Sequence, residues 1–247
     1  LRTFVFRPHA RLRLFCFPHA GGAAGSFRPW TDLLPDDIEV VAVQYPGRQD
    51  RFAEPHAESM DELVTGIVTE IAGWLDLPFL FFGHSLGATV AFETARRLRP
   101  GPERLFVSAR SAPSESKPVP VDCANDAALL AHLRALGSAG GSRLDLEPRL
   151  RPIILPTLRA DLAIVNTYRF HGPPVHCPIT AIAGSTDNSC PPHEIQAWHR
   201  HTTAETDFAE LPGGHFYLEE STTQLMDLLL DRIRARRGSE AGSRISG

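Results

Sequence analysis

The sequence predicts an α/β fold, a mostly parallel central sheet with helices on both faces and a helical lid insertion. Three observations predict it. Short, near-continuous apolar runs alternate with amphipathic helical patterns, as expected where both faces of a parallel sheet are covered. One of those runs passes through a G-x-S-x-G turn straight into a helical pattern. The alternation then fails over residues 112–176, where helical patterns follow one another with no strand between them.

Taken in order, residues 12–17 (LRLFCF) form the first strand candidate and lead through FPHAGG into a short helix over 26–34. Residues 38–45 (IEVVAVQY) are the second strand. From 59 to 75, Met60, Leu63, Ile67, Ile71 and Leu75 recur at steps of three or four and predict an amphipathic helix. Residues 79–82 (FLFF) make the third strand, 88–98 a helix, and 105–109 (LFVSA) the fourth strand. In the insertion, the run SAPSESKPVP precedes helical patterns over 125–136 and 147–170. Pro152 and Pro156 should kink or split the second of these, and Leu155, Leu158, Leu162 and Val165 make it too apolar for a solvated loop. It reads as a lid over a pocket. Residues 179–183 (ITAIA) and 207–211 (DFAEL) supply the last strands, and the final helix over 224–237 aligns Leu225, Leu228, Leu229 and Ile233. The expected organisation is therefore a core of residues 1–111 and 177–237, a lid insertion of 112–176, and a disordered tail of 238–247.

The 247 residues suit one large domain with an insertion, and 43% hydrophobic with 22% charged residues excludes a fibrous or extended disordered chain. With 25 basic against 29 acidic residues, the net charge of −4 argues against nucleic-acid binding. No membrane span is expected, because the most apolar stretch, 77–92, is short and interrupted by Pro78, His84 and Ser85, and the first residues do not read as a basic-then-apolar leader. Cys16, Cys123, Cys177 and Cys190 lack metal-ligand spacing, which predicts free thiols in a reducing cytoplasm and no metal centre.

The chemistry centres on FLFFGHSLG. A serine between glycines at a strand-to-helix turn is exposed at the sheet edge, since side chains at Gly83 and Gly87 would keep strand and helix apart. A serine hydroxyl is a poor nucleophile, so Ser85 needs a base oriented by a carboxylate. His215 in PGGHF, just beyond the last strand, and Asp187, at the end of ITAIAGSTD, stand in the chain order Ser, Asp, His. Asp122, Asp161, His193, His199 and His201 compete for these roles, whereas His84 is expected to pack rather than react. The FPHAGG loop supplies small residues whose amides can face the site, so the oxyanion donors are assigned to Ala20 and Leu86, with Gly21 as the alternative to Ala20.

FPHAGG, YPGRQDR at 45–51, GHSLGA at 83–88, SARSAP at 108–113, LRADL at 158–162 and PGGHFYL at 212–218 together make the chain resemble the type II thioesterases. These are stand-alone α/β-hydrolases that accompany polyketide synthases and nonribosomal peptide synthetases. The likeness runs from about residue 12 to about residue 236. It implies the α/β-hydrolase fold, Ser85 as nucleophile, His215 as base, Asp187 as its partner, and the Ala20 and Leu86 amides as oxyanion hole. It further implies hydrolysis of acyl groups from the phosphopantetheine arm of acyl or peptidyl carrier domains, with no cofactor of the enzyme's own. Ser111 stands where many members have a second arginine, as in SGRRAP, while Arg110 remains. Arg48, Arg51 and Arg110 are candidate contacts to the carrier or to phosphopantetheine, with a salt-bridged turn the competing reading for Arg48 and Arg51. Rival functions are a carboxylesterase, a releasing or cyclising thioesterase of the integrated type, and a carrier-binding module without catalysis.

Overall fold

The computed structural model describes residues 1–138 and 144–243. Its sheet contains β1 (Leu12–Phe17), β2 (Ile38–Ala42), β3 (Phe79–His84), β4 (Leu105–Ser108), β5 (Ile179–Gly184) and β6 (Thr206–Leu211) in the order β2-β1-β3-β4-β5-β6. Every ladder is parallel. Alternate residues therefore enter two separate cores. Phe15, Phe17, Phe79 and Phe81 point to one face, and Leu14, Cys16, Leu80 and Phe82 to the other. The first face is covered by α2 (Met60–Ile71) and α3 (Leu86–Arg97) through Leu63, Ile67, Ala91 and Phe92. The second is covered by α1 (Trp30–Leu33) and the final helix through Trp30, Leu225, Leu229 and Ile233. Double coverage is why the strands read as continuous apolar runs rather than alternating ones.

The insertion contributes α4 (Asp126–Ala135) and α5 (Arg151–Thr167), which enclose a third cluster of Leu129, Leu133, Leu155, Leu158 and Leu162. Ala20 packs against both this cluster and the sheet core, so the FPHAGG loop is held between the two. Shorter helices α6 (Pro192–Gln196) and α7 (Tyr217–Glu220) precede α8 (Thr222–Ser243).

Several local expectations are corrected. The helix predicted over 26–34 is a 3-10 turn, Ala24–Phe27, followed by the four-residue α1, with Pro29 at the junction as N-cap. The helix predicted over 59–75 leaves α geometry after Ile71 and closes in a 3-10 turn, Ala72–Trp74. Helix α5 is not split. Pro152 lies in its first turn, where an N–H has no intrahelical partner to lose, and Pro156 removes only one bond from a 17-residue helix. The tail predicted to be disordered from Gly238 is helical to Ser243, and 244–247 lie outside the described residues. Residues 238–243 read GSEAGS, in which only Glu240 and Ala241 favour helix and no apolar stripe exists for periodicity to detect. Among the described residues no helix is long and apolar enough to cross a membrane.

Candidate active site

Because all six strands are parallel, the loops that follow them converge on one edge of the sheet. That edge receives FPHAGG after β1, Ser85 after β3, Arg110 after β4, Asp187 after β5 and His215 after β6. Ser85 sits at φ 55°, ψ −121°, a conformation that costs about 1–3 kcal/mol in a residue with a side chain. Its N–H donates to the Ser108 carbonyl (2.8 Å) and its carbonyl accepts from Ala88 N–H (3.0 Å), so both flanks of the turn are pinned. A Cβ on Gly83 would collide with the backbone of Gly87, and one on Gly87 with the backbone of Phe17. The glycines are thus required by close approach of strand, helix and the first loop.

Ser85 Oγ lies 3.1 Å from His215 Nε2, and His215 Nδ1 lies 2.8 Å from Asp187 Oδ2. His215 and Asp187 are buried, while Ser85 is partly exposed. Asp187 Oδ1 accepts from Ser189 N–H (2.9 Å) and Ser189 Oγ–H (2.6 Å), and that Oγ is also 3.0 Å from His215 Nδ1. Ser189 escaped the sequence reading. Its signal was an Asx-type turn, Asp187 bonding the amide two residues on. A further buried chain, Tyr217 Oη to Ser108 Oγ (2.5 Å) to His84 Nδ1 (2.8 Å), supports the strand end that pins Ser85. His84 packs, as expected, and its Nε2 has no hydrogen-bond partner among the described residues.

The competitors lie elsewhere. Asp122 is exposed and accepts from the Ala124 amide (3.0 Å). His193 is on α6, and His199 and His201 are on the 3-10 turn Ala197–His201, where His201 bonds Ser114 Oγ (3.0 Å). Asp161 is buried on α5, and its Oδ2 accepts from the Gly21 amide (2.7 Å) and from Arg48 Nη1 (2.6 Å), while Oδ1 accepts from Arg48 Nη2 (2.7 Å). The Gly21 N–H is therefore occupied. The Ala20 and Leu86 amides make no hydrogen bond with the described residues, and Leu86 is the first residue of α3, whose N-terminal dipole favours a developing anion.

The arginines separate by environment. Arg48 is buried against Asp161 and the Gly22 carbonyl (3.0 Å), which removes it from any docking surface. Arg51 binds both Glu54 oxygens (2.8 and 2.6 Å), the Gln44 carbonyl (2.8 Å) and Glu70 (3.3 Å), the arrangement of a structural turn. Arg110 alone of the three lines a cavity of about 1010 Å³ that opens over Ser85. Leu133, Leu158, Leu162 and Val165 from the insertion roof that cavity. Among the described residues, Asp187, Cys190 and His215 bring three metal-capable donor atoms within 4.8 Å of one another. The short contact between His215 and Asp187 already uses two of the three.

Residues 12–234 match the family described as Thioesterase domain. The chain belongs to that family. This thioesterase is 41% identical over 246 residues to Thioesterase PikA5 of Streptomyces venezuelae, covering 97% of this chain and 87% of that protein. It is 35% identical over 237 residues to the Gramicidin S biosynthesis protein GrsT of Aneurinibacillus migulanus, covering 91% and 90%. Among solved structures, the type II thioesterase BorB from the borrelidin biosynthetic cluster superposes with a TM-score of 0.83 at 39% identity, covering 91% and 93%. The resemblance drawn from six motifs and the α/β-hydrolase fold are both borne out.

The electrostatics of the thioesterase site isolate one titrating imidazole. Burial pushes His215 down, but its hydrogen bond to Asp187, contact with Cys190 and the attendant charges outweigh burial and raise it to about 9. His19 is lowered to about 4 by burial, then by His215 and Arg48, and His84 is pushed well below its usual value by burial. Both stay neutral where His215 charges. If His215 takes the Ser85 proton it must be unprotonated to do so, and kcat/KM is then expected to rise with pH to a plateau whose midpoint lies well above 6.5. The stability contribution runs the other way. A raised histidine stabilises fully below about 6.5 and loses that stabilisation as pH climbs through about 9, so the melting temperature should fall over that window. A kcat/KM midpoint at or below 6.5 would contradict the charge assignment.

Proposed function

We propose that this thioesterase hydrolyses acyl groups from the phosphopantetheine thiol of acyl or peptidyl carrier domains, clearing stalled or wrongly primed units from polyketide or nonribosomal peptide assembly lines. The observation that carries the reading is the hydrogen-bonded run Ser85, His215, Asp187 opening beneath an apolar roof. The names of the relatives, a type II thioesterase among them, support the substrate class.

In this reading Ser85 Oγ attacks the thioester carbonyl while His215 Nε2 takes its proton. Asp187 holds Nδ1–H, fixing the tautomer and favouring the imidazolium that forms. The Ala20 and Leu86 amides receive the oxyanion, each donor contributing about 3 kcal/mol in the transition state. The thiol leaves with the proton returned by His215, or as thiolate, which needs little acid assistance. Water activated by the same imidazole then attacks the acyl-enzyme and releases Ser85 and the free acid. The cycle calls for no metal or redox cofactor, phosphopantetheine being part of the substrate. Chelator is accordingly expected to leave the rate unchanged, and a loss in EDTA that zinc reverses would contradict the serine mechanism.

The test offers one acyl group on a carrier protein, on coenzyme A and on a simple thiol. The carrier form is expected to show the highest kcat/KM. Equal turnover of oxygen esters and thioesters without response to the carrier would instead establish a carboxylesterase, and lactone or lactam in place of acid a cyclising enzyme.

A further inference from the structure

Ser189 meets both members of the pair that presents Nε2 to Ser85, and its hydroxyl stands between them. Its N–H (2.9 Å) and its Oγ–H (2.6 Å) donate to Asp187 Oδ1, while the same Oγ lies 3.0 Å from His215 Nδ1, which also lies 2.8 Å from Asp187 Oδ2. A hydroxyl has one proton to give and two lone pairs to receive with. The proton goes to the carboxylate, since a charge-assisted bond of 2.6 Å outweighs the other acceptor in reach, Cys190 Sγ at 3.8 Å. A lone pair is then left for Nδ1–H. The result is a closed ring of hydrogen bonds in which Nδ1–H has two oxygen acceptors, Asp187 Oδ2 and Ser189 Oγ, and the second is itself oriented by the carboxylate.

The backbone holds this ring in place. Beyond β5, Ser185 N–H donates to the Leu211 carbonyl (2.8 Å) and Thr186 N–H to the Gly213 carbonyl (2.9 Å), so the segment carrying Asp187 and Ser189 is tied to the segment that leads into His215. Two donors on Oδ1 occupy that oxygen and leave Oδ2 to the imidazole, which fixes the plane of the carboxylate. Asp187 is buried, whereas Ser189 is exposed and lines the cavity over Ser85. Its hydroxyl therefore takes, at both groups, a place that water from the cavity would otherwise fill.

Resting on the reading of Ser85, His215 and Asp187 as the reacting unit, we propose that Ser189 is a positioning residue for thioester hydrolysis, its Oγ serving as a second acceptor for His215 Nδ1–H that holds the tautomer and the aim of the ring directly as well as through Asp187. A serine that acted through Asp187 alone would matter only while the carboxylate is present. A direct acceptor matters more once the carboxylate is gone, because its oxygen is what remains at Nδ1, the nearby Cys190 thiol being a weak acceptor.

The experiment measures kcat and KM on one acyl thioester for wild type, Ser189→Ala, Ser189→Thr, Asp187→Ala and the double variant Asp187→Ala/Ser189→Ala. Ser189→Ala is expected to lower kcat about five- to tenfold with KM within about twofold, and Ser189→Thr, which keeps the hydroxyl, to return kcat to within about twofold of wild type. The melting temperature of Ser189→Ala should stay within about 2 °C, since truncating an exposed side chain opens no cavity in the core. In the Asp187→Ala background Ser189→Ala is expected to cost a further tenfold, roughly, or more. Turnover is not the sole readout: in Ser85→Ala protein the His215 Nδ1 proton, followed by NMR, should exchange with water faster when Ser189→Ala is added. Wild-type kcat in Ser189→Ala, a loss carried by KM, a loss that Ser189→Thr does not restore, silence in the Asp187→Ala background, or unaltered Nδ1–H exchange would overturn the proposal and leave the triad standing. Wild-type kcat in Asp187→Ala would instead overturn the triad reading, and the proposal with it.

Discussion

Ser85→Ala is expected to lower kcat for thioester hydrolysis by roughly four to six orders of magnitude, with His215→Ala similar, because a triad acts as a unit and removal of nucleophile or base abolishes the covalent route. Asp187→Asn should cost about three to four orders. Ser189 N–H and Oγ–H hold the amide oxygen at the Oδ1 position, so the NH2 faces His215 Nδ1 as a donor and the imidazole loses the tautomer that presents Nε2 to Ser85 Oγ at 3.1 Å. Stability provides an independent reading of the same residue. Since φ 55° at Ser85 is a conformation that glycine adopts without strain, Ser85→Gly should lose activity while its melting temperature holds or rises. Retention of more than a tenth of wild-type kcat by Asp187→Asn would remove Asp187 from the mechanism. Asp122 would not replace it without rearrangement, being exposed and bonded to the Ala124 amide.

The second large effect belongs to the Arg48–Asp161 pair, which ties the insertion to the loop that holds the proposed oxyanion donor. Asp161 accepts two bonds from Arg48 and one from Gly21 N–H, so it joins α5 to the turn after β2 and to FPHAGG at once. Asp161→Ala strands a buried guanidinium and should cost about 3–5 kcal/mol, a fall of roughly 10 °C in melting temperature for a chain of this size. Replacing both partners, Arg48→Met with Asp161→Leu, removes both charges and should recover most of that stability. It should not recover the rate. With Gly21 N–H released, the adjoining Ala20 amide is no longer fixed toward the oxyanion, and kcat is expected to stay about a hundredfold down. A double variant with wild-type kcat would show the pair to be purely structural.

How much was legible follows from what is local. The strand, turn and helix around Ser85 are contiguous, and the steric demands on Gly83 and Gly87 are met by neighbours in the same motif or by the first strand's loop. Asp187 and His215 were legible because a parallel sheet sends every strand's C-terminal end to one edge, so chain order and position after a strand sufficed to place them together. Cores were legible for the same reason, as residues such as Phe15 and Phe81 have to be buried whichever face they take. Ser189, the Tyr217–Ser108–His84 chain and the fate of Asp161 were not, because polar side chains in loops and helices carry no periodic signal.

The three arginines mark the boundary most clearly. In sequence Arg48, Arg51 and Arg110 are alike, each in a short polar motif beside a strand. Their chemistry diverges only when the chain closes on itself: Arg48 meets a carboxylate 113 residues away inside the protein, Arg51 meets Glu54 and Glu70 near the surface, and Arg110 meets only hydroxyls over the nucleophile. The sequence by itself determined the fold, the strand-to-helix turn that carries Ser85 and the placing of Asp187 and His215 after later strands, since these rest on backbone sterics and hydrophobic periodicity that neighbouring residues encode. Only the tertiary structure decided that the Gly21 amide is bonded to Asp161 and that Arg110 lines the cavity over Ser85, since a group's role depends on the partner and the dielectric that packing brings to it.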